Sequence, residues 1–185
     1  MIGKVLRKLV QFGSFLRSEI LKNYYKISYR GIHICNKSYL YPYGTIISSN
    51  ESNIWCLDSV IGRGTSIIAN EGGKIRIEKA FIGNHCMIAA KSQIEIHPNC
   101  QIAEMVVIRD QNHNFGAAGK TIVEQGFSTA PIIIEENVWL GAKVTVLAGS
   151  HIGKNTVVGA NSVVRGKLEP NSVYAGIPAK KIKSF

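Results

Sequence analysis

The sequence predicts an all-β protein wound as a parallel β-helix of hexapeptide repeats, with an amphipathic helix before it and a folded-back tail after it. Three observations carry that prediction. First, branched aliphatic residues recur at every sixth position through Ile134, Leu140, Val146, Ile152, Val158 and Val164. A helix repeats at 3.6 residues and a half-buried strand at 2, so neither produces a strict six. Second, small residues follow in the same register: Gly141, Gly153 and Gly159, then Ala142, Ala148 and Ala160. A corner between short strands is tight, and a Cβ there is in the way. Third, if three hexads make one turn, residues eighteen apart stack on neighbouring coils, roughly 4.8 Å from each other. Ile134 then sits under Ile152, Leu140 under Val158 and Val146 under Val164. The same arithmetic stacks Gly141 on Gly159 and Ala142 on Ala160, a strip of small residues along one outer edge. Two readings fit the strip. Either the corners simply need small residues, or a long, thin ligand lies there and reaches backbone groups that larger side chains would cover.

The chain divides into three parts: a basic helical cap over 1–30, the β-helix over 31–168 with a loop extruded at about 110–130, and a tail over 169–185. Residues 2–22 place apolar side chains from Val5 to Leu21 between basic ones at helical spacing, although Gly13 weakens the middle. Residues 1–30 hold seven Lys and Arg against one acid, Glu19, so they supply +6 of the formal charge of +10. Such a helix covers the open first coil, as a solenoid end requires, or rests on an anionic membrane surface. A nucleic-acid partner is disfavoured, because no recognition motif or aromatic-interleaved basic run accompanies the charge.

No run of about 18 apolar residues exists, which excludes a spanning helix, and the first residues lack a signal-peptide pattern. Four cysteines (Cys35, Cys56, Cys86, Cys100) show no C-x-x-C spacing. Cys86 and Cys100 each fall four residues after a hexad aliphatic and read as small core residues in a reducing cytoplasm. The expected location is therefore cytoplasmic, with peripheral contact at the inner face of the membrane through residues 1–22.

From about Ile32 the pattern is strand and turn. Ile61-Gly62 and Ile67 form the first hexad pair, and 69–74 read as a turn or small protruding loop. The phase resets near Ile75 and Ile77, resumes through Ile82, Ile88 and Ile94, shifts by two, and continues through Ile96, Ile102 and Ile108. Such resets imply one or two extra residues at a corner. The period then stops until Ile134, a separation of 26 that is not a multiple of six, so the intervening segment is extruded. Long loops in compact repeat proteins tend to be functional, and this one opens on His113. After Val164 the chain leaves the repeat. Pro170 and Pro178 argue against a regular strand there, and the tail is expected to fold back and carry its lysines towards the small-residue strip.

The stretches Val138-Trp139-Leu140-Gly141-Ala142, Val158-Gly159-Ala160-Asn161-Ser162-Val163-Val164 and Ala175-Gly176-Ile177-Pro178-Ala179-Lys180 resemble the hexapeptide acyltransferases. Within them, the resemblance is to the maltose and galactoside O-acetyltransferases and the sugar O-acetyltransferases of surface-polysaccharide pathways. The segment from Ile102 to His113 is similar to the one that leads into that family's catalytic histidine. The resemblance spans roughly residues 60–183 and implies a left-handed β-helix, a homotrimer, and three acetyl-CoA sites between adjacent subunits. It implies that His113 is the general base, and that Trp139, Gly141, Ala142, Gly159, Ala160, Arg165, Lys180 and Lys183 lie along the cofactor. Arg165 stands where a threonine is common and Lys180 where an arginine is common.

The chemistry so implied is acetyl transfer from acetyl-CoA to a sugar or glycan hydroxyl. An imidazole titrating near neutrality removes the hydroxyl proton, and backbone N–H groups stabilise the oxyanion. Asp110, Glu124 or a backbone carbonyl is available to orient the imidazole. Trp139, an outward residue that breaks a pattern of small ones, is either an interface packing residue or a flat surface for the pantetheine arm or acceptor. The alternatives are N-acetylation of an amino-sugar nucleotide, a γ-type carbonic anhydrase holding zinc through histidines drawn from His85, His97, His113 and His151, and a non-catalytic scaffold. None of those histidines forms the close pair a zinc site of that type requires, so no metal is expected.

Overall fold

The computed structural model describes residues 2–185, with side chains from residue 8 onward. A single α-helix, Ile2–Ser28, precedes a parallel β-helix whose three faces alternate along the chain. Face A runs from Ile32–Ile34 to Lys167–Leu168 and face B from Tyr39–Leu40 to Ser172–Ala175. Face C runs from Thr45–Ser48 to Val163–Val164. Face C has six strands, so the solenoid makes six complete turns and begins a seventh.

The hexad aliphatics all point inwards. Ile134 pairs with Ile152, Leu140 with Val158 and Val146 with Val164, the eighteen-residue stacking expected from the period. These six residues are at most 1% exposed. Buried hydroxyls at the corners tie one coil to the next: Ser38 Oγ donates to the Cys56 carbonyl, Thr65 Oγ1 to Gly83 and Thr156 Oγ1 to Glu169, at 2.7–2.8 Å. Such pairing is what lets polar atoms sit in a dry core.

The phase resets have a different cause from the one the sequence implied. Ile61 pairs with Ile82 and Ile67 with Ile88, both twenty-one residues on. The additional residues lengthen strands rather than corners. On face A, Asn53–Leu57 and Lys74–Glu78 are five residues long and turn two side chains each inwards, Ile54 with Cys56 and Ile75 with Ile77. His151–Ile152 turns in one. Between Ala69 and Lys74 the chain only turns, and the Gly73 N–H closes it on Asn70.

The helix is longer than 2–22, ending at Ser28, and its second half lies across the first coil. Ser18 Oγ accepts the Leu40 N–H at 3.0 Å, Lys22 Nζ donates to the Asn36 carbonyl at 2.8 Å, and Tyr25 Oη donates to Gly44 at 2.9 Å. Gly13 has open space on the side where a Cβ would stand. The tail corrects the expectation drawn from its prolines. Ser172–Ala175 extends face B in parallel with Val157–Val158, and Lys180–Ser184 pairs antiparallel to it. Pro170 and Pro178 flank these strands and remove no ladder hydrogen bond.

Candidate active site

The corner between faces B and C carries the small-residue strip. Registers place Gly62, Gly83, Ala103, Gly141 and Gly159 in one column, each just after its face-B strand, and continue it to Ala175, the last residue of its own strand. A Cβ on Gly83 would stand 2.7 Å from Ala103 backbone carbon, and one on Gly141 2.7 Å from Ala160 nitrogen. Coil stacking therefore demands glycine at Gly62, Gly83 and Gly141, and Gly141 needs no ligand to account for it. The next column behaves differently. It reads Arg63, Asn84 and Glu104 in the second to fourth coils, then Ala142 and Ala160 in the fifth and sixth.

That change opens a groove of about 400 Å³ over the later coils, lined by Ala103, Glu104, Trp139, Gly141, Ala142, Val157, Gly159 and Ala160 among others. Trp139, 54% exposed, forms one wall. It does not break a run of small residues. Its column holds Tyr39, Val60, Phe81, Gln101, Val157 and Val173, and the small residues sit two positions further on. At the C-terminal end Lys180 pairs with Ala175 and Lys183 with Val173, so both exposed lysines continue the two columns that floor the groove. An apolar trough with a flat wall, reachable backbone and two cations at one end fits a pantetheine arm leading to phosphates.

His113 lies elsewhere in the same chain. It belongs to a hairpin, Gln111–His113 against Phe127–Thr129, that leaves the end of face C at the corner with face A. Its ring faces that of Phe127 at 4.2 Å between centroids, and Lys91 Nζ stands 4.1 Å from the Phe127 ring centre on the other approach. The hairpin has a rigid base. Asp110 is fully buried and its two carboxylate oxygens accept the Lys91 and Ser92 N–H groups, each at 2.8 Å, while its carbonyl accepts the Ala130 N–H at 2.9 Å. Asp110 is thus an anchor of the loop and does not orient the imidazole. Glu124 does not either: it holds the Thr121 N–H and hydroxyl at the loop tip. Those bonds keep its carboxyl below the usual range.

Face C separates the groove from the hairpin. Its outward positions include Ile47, Ile68, Ala89 and Leu147, all partly or fully covered, with Arg109 and Arg165 in the same column. Arg165 therefore stands on face C and not beside the strip. The structure gathers Trp139, Gly141, Ala142, Gly159, Ala160, Lys180 and Lys183, and holds His113 and Arg165 away from them within one chain.

Two of the other histidines face outwards on face A, where a depression of about 390 Å³ separates paired groups. His97 Nε2 lies 3.1 Å from Glu95 and His151 Nε2 2.6 Å from Glu135. These bonds hold both carboxyls below their ordinary range. Among the described residues no three His, Cys, Asp or Glu side chains converge as metal ligands would. A feature missed in the sequence is a ladder at the corner between faces A and B. Asn137 donates to Asn155 at 2.9 Å and Asn155 to Asn171 at 2.8 Å, all three with left-handed φ of 52–57°. The signal was present as asparagines sixteen to eighteen residues apart, a residue type that tolerates that conformation.

The fold is a parallel β-helix built on a hexapeptide repeat. Residues 131–166 match the family of bacterial transferase hexapeptide (six repeats), and the chain carries that repeat. It is 45% identical over 115 residues to the galactoside O-acetyltransferase of Escherichia coli K12, covering 62% of this chain and 56% of that one. It is 37% identical over 111 residues to the lipopolysaccharide biosynthesis O-acetyl transferase WbbJ of the same organism, covering 56% and 57%. The chain thus spans little more than half the length of these relatives. Among solved structures it shares the fold of AntD, an N-acyltransferase from Bacillus cereus in complex with dTDP and 3-hydroxybutyryl-CoA, with a TM-score of 0.70, 18% identity and 89% and 87% coverage.

Proposed function

We propose that this protein transfers an acetyl group from acetyl-CoA to a hydroxyl of a sugar or glycan, as a step in building a surface polysaccharide, and that it works as a homotrimer. The observation that carries the reading is the groove, which lies where Ala142 and Ala160 stand in place of larger residues and whose columns run on in register to Lys180 and Lys183. Bound there, acetyl-CoA supplies an activated thioester. Trp139 flanks the thin arm, the small residues leave backbone groups within its reach, and the lysines neutralise phosphate charge.

The remaining part comes from a second copy. Groove and hairpin lie on the two edges of face C, whose outward column is largely apolar. When such faces turn towards a common three-fold axis, the hairpin edge of one copy meets the groove edge of the next. His113 from the neighbour then stands at the thioester. Its imidazole takes the proton from the acceptor hydroxyl as that oxygen bonds to the acetyl carbon, and returns it to the departing sulfur. Phe127 holds the ring in place. A hydroxyl acceptor is favoured over an amine because the 45% identity is to an O-acetyltransferase, whereas the likeness to AntD is one of fold. A reducing cytoplasm fits the four cysteines, all free.

The test is His113→Ala, assayed with acetyl-CoA and a galactoside acceptor. Turnover is expected to fall by about two orders of magnitude or more, with CoA affinity unchanged. Turnover near that of the unmodified protein would exclude His113 as the base.

A further inference from the structure

The helix Ile2–Ser28 has two unlike faces. Ser18, Lys22 and Tyr25 clamp one of them to the first coil. On the opposite side Leu9, Phe12, Leu16, Ile20 and Ile27 fall within about 80° of one another around the axis. They are 50–86% exposed, and nothing among the described residues covers them. An apolar stripe of this kind on a surface, interrupted here at Asn23, marks a docking site.

The charge around the stripe selects the partner. The first 43 residues hold eight Lys and Arg and one acid, a net of +7, leaving +3 for the other 142. That acid, Glu19, is already paired with Lys22 at 2.5 Å. Lys8, Arg17, Lys26, Arg30 and Lys37 are exposed. A second copy of the helix laid against the stripe would bring cation to cation with no acid to offset it. An anionic surface meets no such cost. Tyrosines cluster at the same end: Tyr24, Tyr41 and Tyr43 are 44–79% exposed, and the Arg63 guanidinium lies 5.4 Å from the Tyr43 ring centre. Tyrosine, with an apolar ring and a polar tip, is the residue type enriched where hydrocarbon meets water.

We propose that the helix lies in the surface of an anionic lipid bilayer, its stripe among the acyl chains and the basic residues at the head groups. The helix does not span: no described helix is long and apolar enough to cross a membrane. The proposal rests on no part of the acetyl-transfer reading.

Co-sedimentation of the full-length protein with vesicles of mixed phosphatidylglycerol and phosphatidylcholine, and of phosphatidylcholine alone, tests it at about 50 mM and about 500 mM salt. Binding is expected to the anionic vesicles, and to fall about tenfold or more at high salt. The double substitution Phe12→Glu with Leu16→Glu should abolish it. Lys8→Ser with Arg17→Ser should weaken it about twenty-five-fold, since each basic group near such a surface multiplies affinity roughly fivefold. All four side chains stand clear of the coil, so thermal unfolding should not change. Deleting the helix would not serve, because Ser18, Lys22 and Tyr25 also hold the cap. Failure of the unmodified protein to bind anionic vesicles would overturn the proposal, as would binding that survives both double substitutions. Larger assemblies that disperse on Phe12→Glu with Leu16→Glu, without vesicle binding, would give the stripe to a second copy instead. None of these failures would touch CoA binding or transfer to a soluble acceptor.

Discussion

The same corner of the solenoid is built twice, once in the second to fourth coils and again in the fifth and sixth, and the groove is centred on the second version. Both have glycine or alanine directly after the face-B strand, and at Gly62, Gly83 and Gly141 the next coil's backbone would come within 3 Å of a Cβ. They differ one residue later, where Arg63, Asn84 and Glu104 give way to Ala142 and Ala160. Fold and site thus make separate demands on neighbouring positions. Gly62, Gly83 and Gly141 answer to stacking, whereas Ala142 and Ala160 answer to the ligand we propose for the groove.

Substituting the second position in both versions is the strongest way to break that distinction. Ala160→Trp should fold normally, because the side chain points outwards, and should weaken CoA binding about a hundredfold or more by filling the groove. Asn84→Trp, at the equivalent place two coils before Ala142, should leave CoA affinity within about twofold. Equal losses in the two variants, read by calorimetry, would show that the cofactor does not distinguish the coils.

A smaller effect sharpens the contrast at the corner between faces A and B. There Asp58 and Lys79 take the left-handed conformation early in the solenoid, while Asn137, Asn155 and Asn171 take it later and bond to one another. Asn155→Ala loses two ladder bonds and a residue suited to that φ, and should cost about 1–2 kcal/mol. Lys79→Ala has no ladder to lose and should change stability by less than about 0.5 kcal/mol. Equilibrium denaturation of the two variants would check the difference.

Much of this was legible from residue order because a solenoid repeats its environment. Inward positions on successive coils face the same core, so the hexads from Ile134 to Val164 predicted their own register. The phase of Ile34, Leu40 and Ile46 is equally regular, but the five-residue face-A strands that follow interrupt the count and hide it. The hairpin was foreseen as an extrusion but not as a hairpin, since its pairing of His113 with Phe127 spans a stretch without periodicity. From the sequence, Asp110 is one of three groups available to orient the His113 imidazole. Its role follows instead from the Lys91 and Ser92 N–H groups, which only stacking of the previous coil brings to it. The tail strands were obscured by prolines that lie just outside them. The split between groove and histidine was invisible in the sequence, because which corner a residue occupies depends on counting every coil.

That split makes the central claim directly measurable. His113→Ala leaves a working groove and Ala160→Trp leaves a working hairpin, so each alone should be inactive. When the two variants are unfolded together in equal amounts and refolded, a site between copies is restored wherever a His113→Ala groove meets an Ala160→Trp hairpin. With random assortment this occurs at about a quarter of the interfaces, so about a quarter of the unmodified protein's acetyl-transfer activity should return. Mixed assemblies that form and stay inactive would contradict an active site shared between copies.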